Sequence, residues 1–212
     1  MGGMGFMIRL LFILITVSGC GNLPIAYIQN FSEVNSVIFG FPDYEITQDI
    51  YDSYDNSFMK IRFGRGPHAI LILAYIKDDV YEWVGSDGVR IFTLNGRIIR
   101  TQGLPHNFEL KNFSSIDLPS SKTSYSMVDL YNPDLYSSKM ASQFLKSKSM
   151  DIEKIGKAIS VNKIYETFAI NSIGWSDTNI YYQNINTLEI ESLEQNIHPR
   201  LPTVKVEYYF KY

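Results

Sequence analysis

The feature that most constrains the fold is a series of short segments in which apolar and polar residues alternate and turn signals recur. Residues 57–63 place three apolar side chains on one face and two basic side chains on the other. Asn95-Gly96 joins two later segments of the same kind, and it is the strongest short hairpin signal because both turn residues accept a positive φ. A side-chain period of two is that of a β-strand. Residues 57–101 are therefore predicted to form an antiparallel meander.

One segment of this meander does not alternate. Residues 69–76 are apolar at every position, and eight such residues with high β content are typical of a strand that is covered on both faces. We expect this strand to lie at the centre of the core.

The rest of the chain adds further strand signals. Fifteen Tyr and thirteen Phe favour sheets over helices. Residues 104–123 read mostly as loop, whereas residues 132–145 carry a helix-start signal but also many serines, so their type stays open. Further strands are predicted at residues 124–130, 161–170, 179–183, 188–194 and 203–212. The predicted fold is mainly β, an antiparallel β-sandwich or distorted barrel, with a short N-terminal helix at residues 22–40 and one helical turn capped by Thr47.

The N-terminal residues contain a predicted targeting signal. Arg9 precedes a short apolar run, residues 10–17, which ends in Ser18-Gly19-Cys20. A basic residue, an apolar run of this length and a small-residue site are typical of a secretory signal, and the run is too short to span a bilayer. The small residues before Cys20 match a bacterial lipoprotein box, so residues 1–19 are predicted to be cleaved and Cys20 to be lipidated. The alternatives are an ordinary secretory signal with an incidental cysteine and an uncleaved anchor.

Composition excludes several classes of protein. Cys20 is the only cysteine, so a lipidated mature chain can form no disulfide. Loss of Arg9 with the signal takes the formal net charge from −3 to −4, and the chain has no basic block, which disfavours nucleic acid as a partner. We expect residues 20–212 to form a single domain.

The residues that could carry chemistry are few and scattered. His68, His106 and His198 show no metal-ligand spacing, so structural or solvent-exposed roles are expected for them. No nucleophile elbow or glycine-rich nucleotide loop is present in the sequence. Asp52, Asp55 and Asn56 could ligate calcium but lack the glycine and distal glutamate of an EF-hand, which favours a solvated turn. No catalytic, cofactor-binding or metal-binding residue is therefore assigned, and no cofactor is expected.

The aromatic residues allow two interpretations. Tyr and Trp on an exposed face could stack on sugar rings. Most are expected in the core, since residues such as Phe63, Tyr208 and Phe210 fall on the apolar phase of their strands.

Several segments together resemble one family, the lipoproteins encoded with group 4 capsule and related exopolysaccharide-export genes, of the GfcB/YjbF type. The resemblance spans nearly the whole mature chain and consists of strand and turn residues in order. The segments are Ala69–Ala74, Tyr81–Val84, Gly96–Pro105, Gly174-Trp175, Tyr181-Tyr182, Ser192–Gln195 and Pro199–Pro202.

The resemblance implies a β-rich, periplasm-facing lipoprotein of the outer membrane that serves surface polysaccharide secretion without known catalysis. Gly21 follows Cys20 where an Asp would retain a lipoprotein in the inner membrane, which fits that location. We therefore expect a non-catalytic accessory in capsule or exopolysaccharide export, with export proteins or glycan as partners. The alternative is a periplasmic glycan-modifying enzyme, which would gather several ionisable groups in one deep pocket.

Overall fold

The computed structural model describes residues 41–112 and 123–211. The predicted signal peptide, Cys20 and the predicted helix at residues 22–40 lie outside these ranges, and so does the boundary predicted between residues 19 and 20. The signal peptide, the lipidation of Cys20, the helix and the boundary therefore stay predictions.

The described residues are dominated by β-strands, with one short α-helix and one 3₁₀ turn at Asn171–Ile173. The α-helix begins after Thr47, whose side-chain oxygen accepts a hydrogen bond from the Ile50 amide at 3.4 Å, as the sequence predicts. No helix in the described ranges is long and apolar enough to cross a membrane. The elements are α1 (Gln48–Ser53), β1 (Phe58–Phe63), β2 (His68–Lys77), β3 (Val80–Gly85), β4 (Arg90–Leu94), β5 (Arg97–Gln102), β6 (Phe108–Lys111), β7 (Ser124–Leu130), β8 (Leu135–Lys154), β9 (Lys157–Ile170), β10 (Trp175–Asn184), β11 (Ile190–Gln195) and β12 (Val204–Tyr209).

These strands form a closed antiparallel barrel in which each strand pairs with the next along the chain. The last strand, β12, closes the barrel by pairing with β1, from Phe58 opposite Tyr209 to Phe63 opposite Val204. The mainly β prediction is confirmed, and of its two forms the structure shows the barrel. The meander predicted at residues 57–101 corresponds to β1 to β5.

The hairpin predicted at Asn95-Gly96 is present, and both residues have positive φ, 48° and 74°. The glycine is required for a second reason. A Cβ at Gly96 would lie 2.4 Å from Cβ of Ile190, so the hairpin tip approaches β11 more closely than any other residue would allow.

The prediction that residues 69–76 form a strand covered on both faces is wrong for its second half. Leu71 is buried, but Tyr75 and Ile76 are 68% and 58% exposed. The reason is that β2 outruns β1: β1 pairs with β2 only as far as Ile72, and beyond a bulge after Leu73 the strand pairs with β3 alone. The strand therefore lies at the centre of the core only near Leu71.

The structure also assigns two further segments for which the sequence pattern gave no strand. The stretch at residues 132–145 makes a turn through a cis Asn132-Pro133 bond and continues as the long strand β8. The stretch at residues 104–123, expected to be mostly loop, contains the short strand β6, and its residues 113–122 lie outside the described ranges.

Two hydrophobic clusters lie on opposite faces of the barrel wall. The interior cluster includes Met59, Ile61, Leu71, Trp83, Ile91, Ile98, Val128, Ile164, Leu193, Val206 and Tyr208. The outer cluster is formed by Ile46, Phe58 and Tyr209, with Ile50, Tyr51, Tyr54, Ile70, Ile72 and Ile155 packed against it. Because side chains alternate along a strand, the adjacent residues Phe58 and Met59 belong to different clusters. Helix α1 thus covers the outside of the wall at β1, β2 and β12.

Candidate functional site

One end of the barrel contains a cavity of about 490 Å³. It lies where the turn between β2 and β3, the turn between β4 and β5, the loop between β10 and β11 and the end of β12 meet. Its lining residues are Asp79, Tyr81, Thr93, Asn95, Gly96, Gln183, Thr187, Leu188, Glu189, Ile190, Tyr208 and Phe210. A concave site of this volume, with an aromatic floor and a few polar groups, is the usual form of a small-ligand site.

The floor of this barrel-end cavity is aromatic. Tyr208 and Phe210 are stacked, with ring centroids 5.9 Å apart, and Tyr81 meets the Phe210 ring edge-on at 6.1 Å. Tyr208 is fully buried and donates its hydroxyl to the Gly96 carbonyl at 2.8 Å, whereas Tyr81 and Phe210 are only partly buried. Tyr81 and Phe210 are therefore the rings that a bound molecule can reach.

The loop between β10 and β11 forms one wall and is held by its own hydrogen bonds. Asn184 Oδ1 accepts from the amides of Asn186 and Thr187, at 2.9 and 3.2 Å. Gln183 Nε2 donates to the Leu188 carbonyl at 3.0 Å, and the Leu188 side chain is 65% exposed at the rim. The wall is thus formed before any ligand arrives.

The charged side chains in the described lining of the cavity are all acidic. The carboxylates of Asp79 and Glu189 are part of its lining, and the described residues that line it include no Lys, Arg or His. An anionic group placed beside Asp79 would be repelled, because like charges at close range destabilise each other.

A separate polar network lies deeper in the barrel, around Glu166. This carboxylate is fully buried and forms an ion pair with Arg97, whose side chain is 5% exposed. Its Oε2 accepts hydrogen bonds from Asn179 Nδ2 at 2.9 Å and from the Tyr181 hydroxyl at 2.6 Å. Burial, with the Glu166 charge beside it, raises the pKa of Tyr181 well above its usual value, so its proton stays on the hydroxyl. With solvent excluded, this Glu166 network is structural.

Gln195 supplies a second buried polar contact. Strand β5 pairs with β6 only at Arg100 opposite Glu109, so the backbone of Ile98 has no strand partner on that side. The Gln195 side chain accepts from the Ile98 amide at 2.9 Å and donates to the Ile98 carbonyl at 2.8 Å. It thereby satisfies two backbone groups that burial would otherwise leave at a cost of about 1–3 kcal/mol each.

A cluster of charged residues lies on the outer face, around Lys60. Its ammonium group is 2.7 Å from Glu207 and 3.2 Å from Asp43, and His68 lies 3.0 Å from the same Asp43 carboxylate. Burial would lower the pKa of Lys60, but its hydrogen bonds and the charges of Glu207 and Asp43 outweigh that and raise the pKa above its usual value. Lys60, Asp43 and Glu207 of this Lys60 cluster line a groove of about 740 Å³. Lys154, in the same groove, is likewise paired, with Glu191 at 2.6 Å.

The structure assigns a place to each of the three histidines. His68 begins β2 and takes part in the Lys60 cluster. His106 and His198 are far apart in sequence but their rings stack with centroids 4.9 Å apart, which the sequence did not indicate. His198 is 1% exposed, and its Nε2 has no hydrogen-bond partner among the described residues. Burial, with His106 and Arg200 nearby, lowers the pKa of His198 to about 4.

The acidic residues considered as calcium ligands are in the predicted surface segment. Asp52 is in α1 and accepts a hydrogen bond from Gln48 at 2.9 Å, and Asp55 and Asn56 are exposed. Within residues 41–112 and 123–211, no group of three or more His, Cys, Asp or Glu side chains is placed to hold a metal ion.

Sequence reasoning missed both the cavity and the Glu166 network. One signal for the network was available: Glu166 shares the apolar phase of β9 with Ile164 and Phe168, where a charged residue needs a buried partner. The cavity had no such signal, because its residues come from four separate turns and strand ends.

Comparison with known proteins shows which proteins this chain is similar to. The family described as group 4 capsule polysaccharide lipoprotein gfcB, YjbF matches residues 31–208. A crystal structure of the hypothetical lipoprotein YmcC from Escherichia coli (K12) superposes with a TM-score of 0.70 at 16% sequence identity, over 85% of this chain and 95% of that chain. This second likeness shows the shared fold, and no curated protein gave a match. Because the family match covers most of the chain and its strands form the barrel described above, the protein belongs to the YjbF family of group 4 capsule polysaccharide lipoproteins.

Proposed function

We propose that this protein is a lipid-anchored accessory of the outer membrane that serves capsule or exopolysaccharide secretion by binding rather than by catalysis. Membership of the capsule polysaccharide lipoprotein family over residues 31–208 is the observation that carries the proposal. The lipoprotein box ending at Cys20 supports the anchor, and Gly21 supports the outer membrane as the destination.

The state of the ionisable groups supports binding over catalysis. Glu166 and Arg97, the two buried charges of the interior network, neutralise each other out of reach of solvent. The described lining of the barrel-end cavity has two carboxylates but no histidine, the side chain that most often acts as general acid or base near neutral pH. Aromatic rings and hydrogen-bonding groups in a preformed cavity are suited to holding a ligand.

The first experiment tests the anchor and the role in export. A gene deletion is expected to reduce surface polysaccharide, and the wild-type gene is expected to restore it. Cys20→Ser should abolish incorporation of labelled fatty acid and release the protein from membranes, because stable anchoring depends on the acyl chains. A deletion strain with unchanged surface polysaccharide would contradict the export role, and a Cys20→Ser variant that still sediments with outer membranes in high salt would contradict the lipid anchor.

The rival function is a glycan-modifying enzyme, and the observation that favours it is that two carboxylates, Asp79 and Glu189, line the same cavity. Purified protein is incubated with the surface polysaccharide of its own cell, and chain length and mass are compared before and after. The accessory role predicts an unchanged polymer. Cleavage or a mass change that disappears in Asp79→Asn or Glu189→Gln would establish the enzyme instead.

A further inference from the structure

We infer that the barrel-end cavity binds a neutral pyranose unit of a polysaccharide, with Tyr81 and Phe210 stacking on the ring and Asp79 accepting hydrogen bonds from its hydroxyl groups. This inference deepens the proposed function and rests on it, since it names the ligand class that the accessory would hold.

The first feature of the cavity that fits a pyranose ring is its aromatic floor. A pyranose ring presents an apolar face of C–H groups, and aromatic side chains bind flat apolar surfaces at little entropic cost. Tyr81 and Phe210 are edge-on to each other, 6.1 Å between centroids at 85°, so they form a corner against which a ring can lie on one face and one edge. Both are partly buried and line the cavity, so each ring is supported by the core while part of it stays accessible.

The polar lining matches the rim of such a sugar. Each sugar hydroxyl group can both donate and accept a hydrogen bond. A carboxylate oxygen accepts such a bond, and a side-chain amide can donate one and accept another. Asp79 is exposed at the turn between β2 and β3, and its carboxylate has no hydrogen-bond or ion-pair partner in the described part of the chain. Asn95, Thr187 and Glu189 add further hydrogen-bonding groups around the same cavity.

Charge narrows the class of sugar. The Asp79 carboxylate faces a lining whose described residues include no Lys, Arg or His, so a uronic acid or a phosphorylated unit placed beside Asp79 would meet like charge. A neutral unit meets none. The expected ligand is therefore a neutral hexose or N-acetylhexosamine within the polymer.

The rigidity of the wall favours affinity. The loop from Gln183 to Ile190 is held by the Asn184 side chain and by the bond from the Ile185 amide to the Ser160 carbonyl at 3.1 Å. Gly96 closes the adjacent wall against Ile190. A preformed site does not have to be ordered on binding, which lowers the entropic cost.

The test measures binding of neutral disaccharides and trisaccharides of glucose, galactose, mannose and N-acetylhexosamine to the full-length protein in detergent micelles. A galacturonic acid trisaccharide of the same length serves as the charged comparison. Saturation-transfer NMR reports contact and intrinsic tyrosine and tryptophan fluorescence reports affinity. We expect at least one neutral oligosaccharide to bind and the uronic acid to bind more weakly. Absence of binding by every neutral oligosaccharide, or tighter binding of the uronic acid, would overturn the inference.

Matched variants locate the site. Asp79→Ala is expected to raise the Kd by about tenfold or more, the effect of losing one hydrogen bond to a charged group. Asp78→Ala is the control, because Asp78 is the neighbouring residue of the same turn, also has a positive φ and does not line the cavity. Phe210→Leu should likewise weaken binding by about tenfold, whereas Tyr75→Leu removes an exposed ring outside the cavity and should not. Equal effects of a variant and its control would place the sugar elsewhere.

The outcome also separates this inference from the proposed function. Loss of surface polysaccharide in the deletion strain without sugar binding in solution would refute the cavity and leave the export role standing. Sugar binding that depends on Asp79, in a protein whose deletion leaves surface polysaccharide unchanged, would refute the export role and leave the cavity standing.

Discussion

The Glu166 network and the Lys60 cluster each bring opposite charges together, on opposite faces of the same barrel wall. Glu166 is fully buried and its partner Arg97 is 5% exposed, whereas the partners of Lys60 are open to water, Asp43 at 65% and Glu207 at 38%. A buried carboxylate that loses its partner cannot be solvated, but a surface carboxylate can. Similar ion pairs should therefore differ several-fold in what their removal costs.

The largest expected effect comes from breaking the interior pair. Glu166→Gln leaves the buried Arg97 charge uncompensated and should lower the free energy of unfolding by about 3–5 kcal/mol. Urea denaturation followed by circular dichroism measures it. The double substitution Glu166→Leu with Arg97→Met is the control, since it removes both charges and should be less damaging than Glu166→Gln alone. A double variant that is as unstable as Glu166→Gln would show that the charge is not the cause.

The same contrast between buried and exposed positions can be tested with two apolar residues of β2. Leu71→Ala removes a side chain of the interior cluster and should cost about 2–5 kcal/mol. Ile76→Ala removes one that is 58% exposed and should cost well under half as much. Denaturant midpoints for the two variants decide the matter, and equal losses would mean that the end of β2 is covered after all.

His198 is buried with no counter-charge among the described residues, so it should make stability depend on pH. The pKa of His198 is about 4 in the folded protein against 6.5 for an ordinary histidine, so between these values the unfolded chain binds more protons than the folded one. Stability is therefore complete above pH 6.5 and falls as the pH drops toward 4, by about 2 kcal/mol at pH 5. Unfolding measured from pH 7.5 to 4.5 in wild type and His198→Gln tests this, because the variant should lose that part of the slope. An unchanged slope in His198→Gln would assign it to other groups.

The smallest effect is expected on the outer face. Lys60→Met leaves Asp43 and Glu207 accessible to water and should cost about 1 kcal/mol or less. Raising the salt concentration should reduce even that difference, whereas the cost of Glu166→Gln should hardly change with salt. Thermal unfolding at two salt concentrations provides the measurement, and a salt-insensitive loss of several kcal/mol would make Lys60 equivalent to the interior pair.

What could be predicted from the sequence is what depends on local pattern. The period of two located β1 and β12, the Asn95-Gly96 dipeptide located a hairpin, and Thr47 located the start of α1. Whether a strand is covered depends on the length of its neighbour, which no local pattern states. That is why the end of β2 was misjudged.

The functional features depend on what closure of the barrel brings together. Asp79 and Phe210 line one cavity although they are far apart along the chain, and His106 stacks on His198 from a distant strand connection. The segments that carry the family resemblance include Arg97, Tyr181 and Gln195, which the structure places in the buried hydrogen bonds around Glu166 and Ile98. The resemblance thus includes residues of the buried hydrogen bonds and, from the cavity lining, Tyr81 and Gly96, whereas the cavity residues Asp79, Asn95 and Glu189 lie outside it.

The pairing of β12 with β1 also has a kinetic consequence. Until Val204–Tyr209 are in place, both β1 and β11 present unpaired backbone groups along a full strand edge, and such edges pair readily with other chains. The contact that seals the barrel joins the first described strand to the last, so it carries a large loop-closure cost and is expected late in folding. Each newly synthesised chain must therefore pass through an open, aggregation-prone form that ends only when β12 pairs with β1.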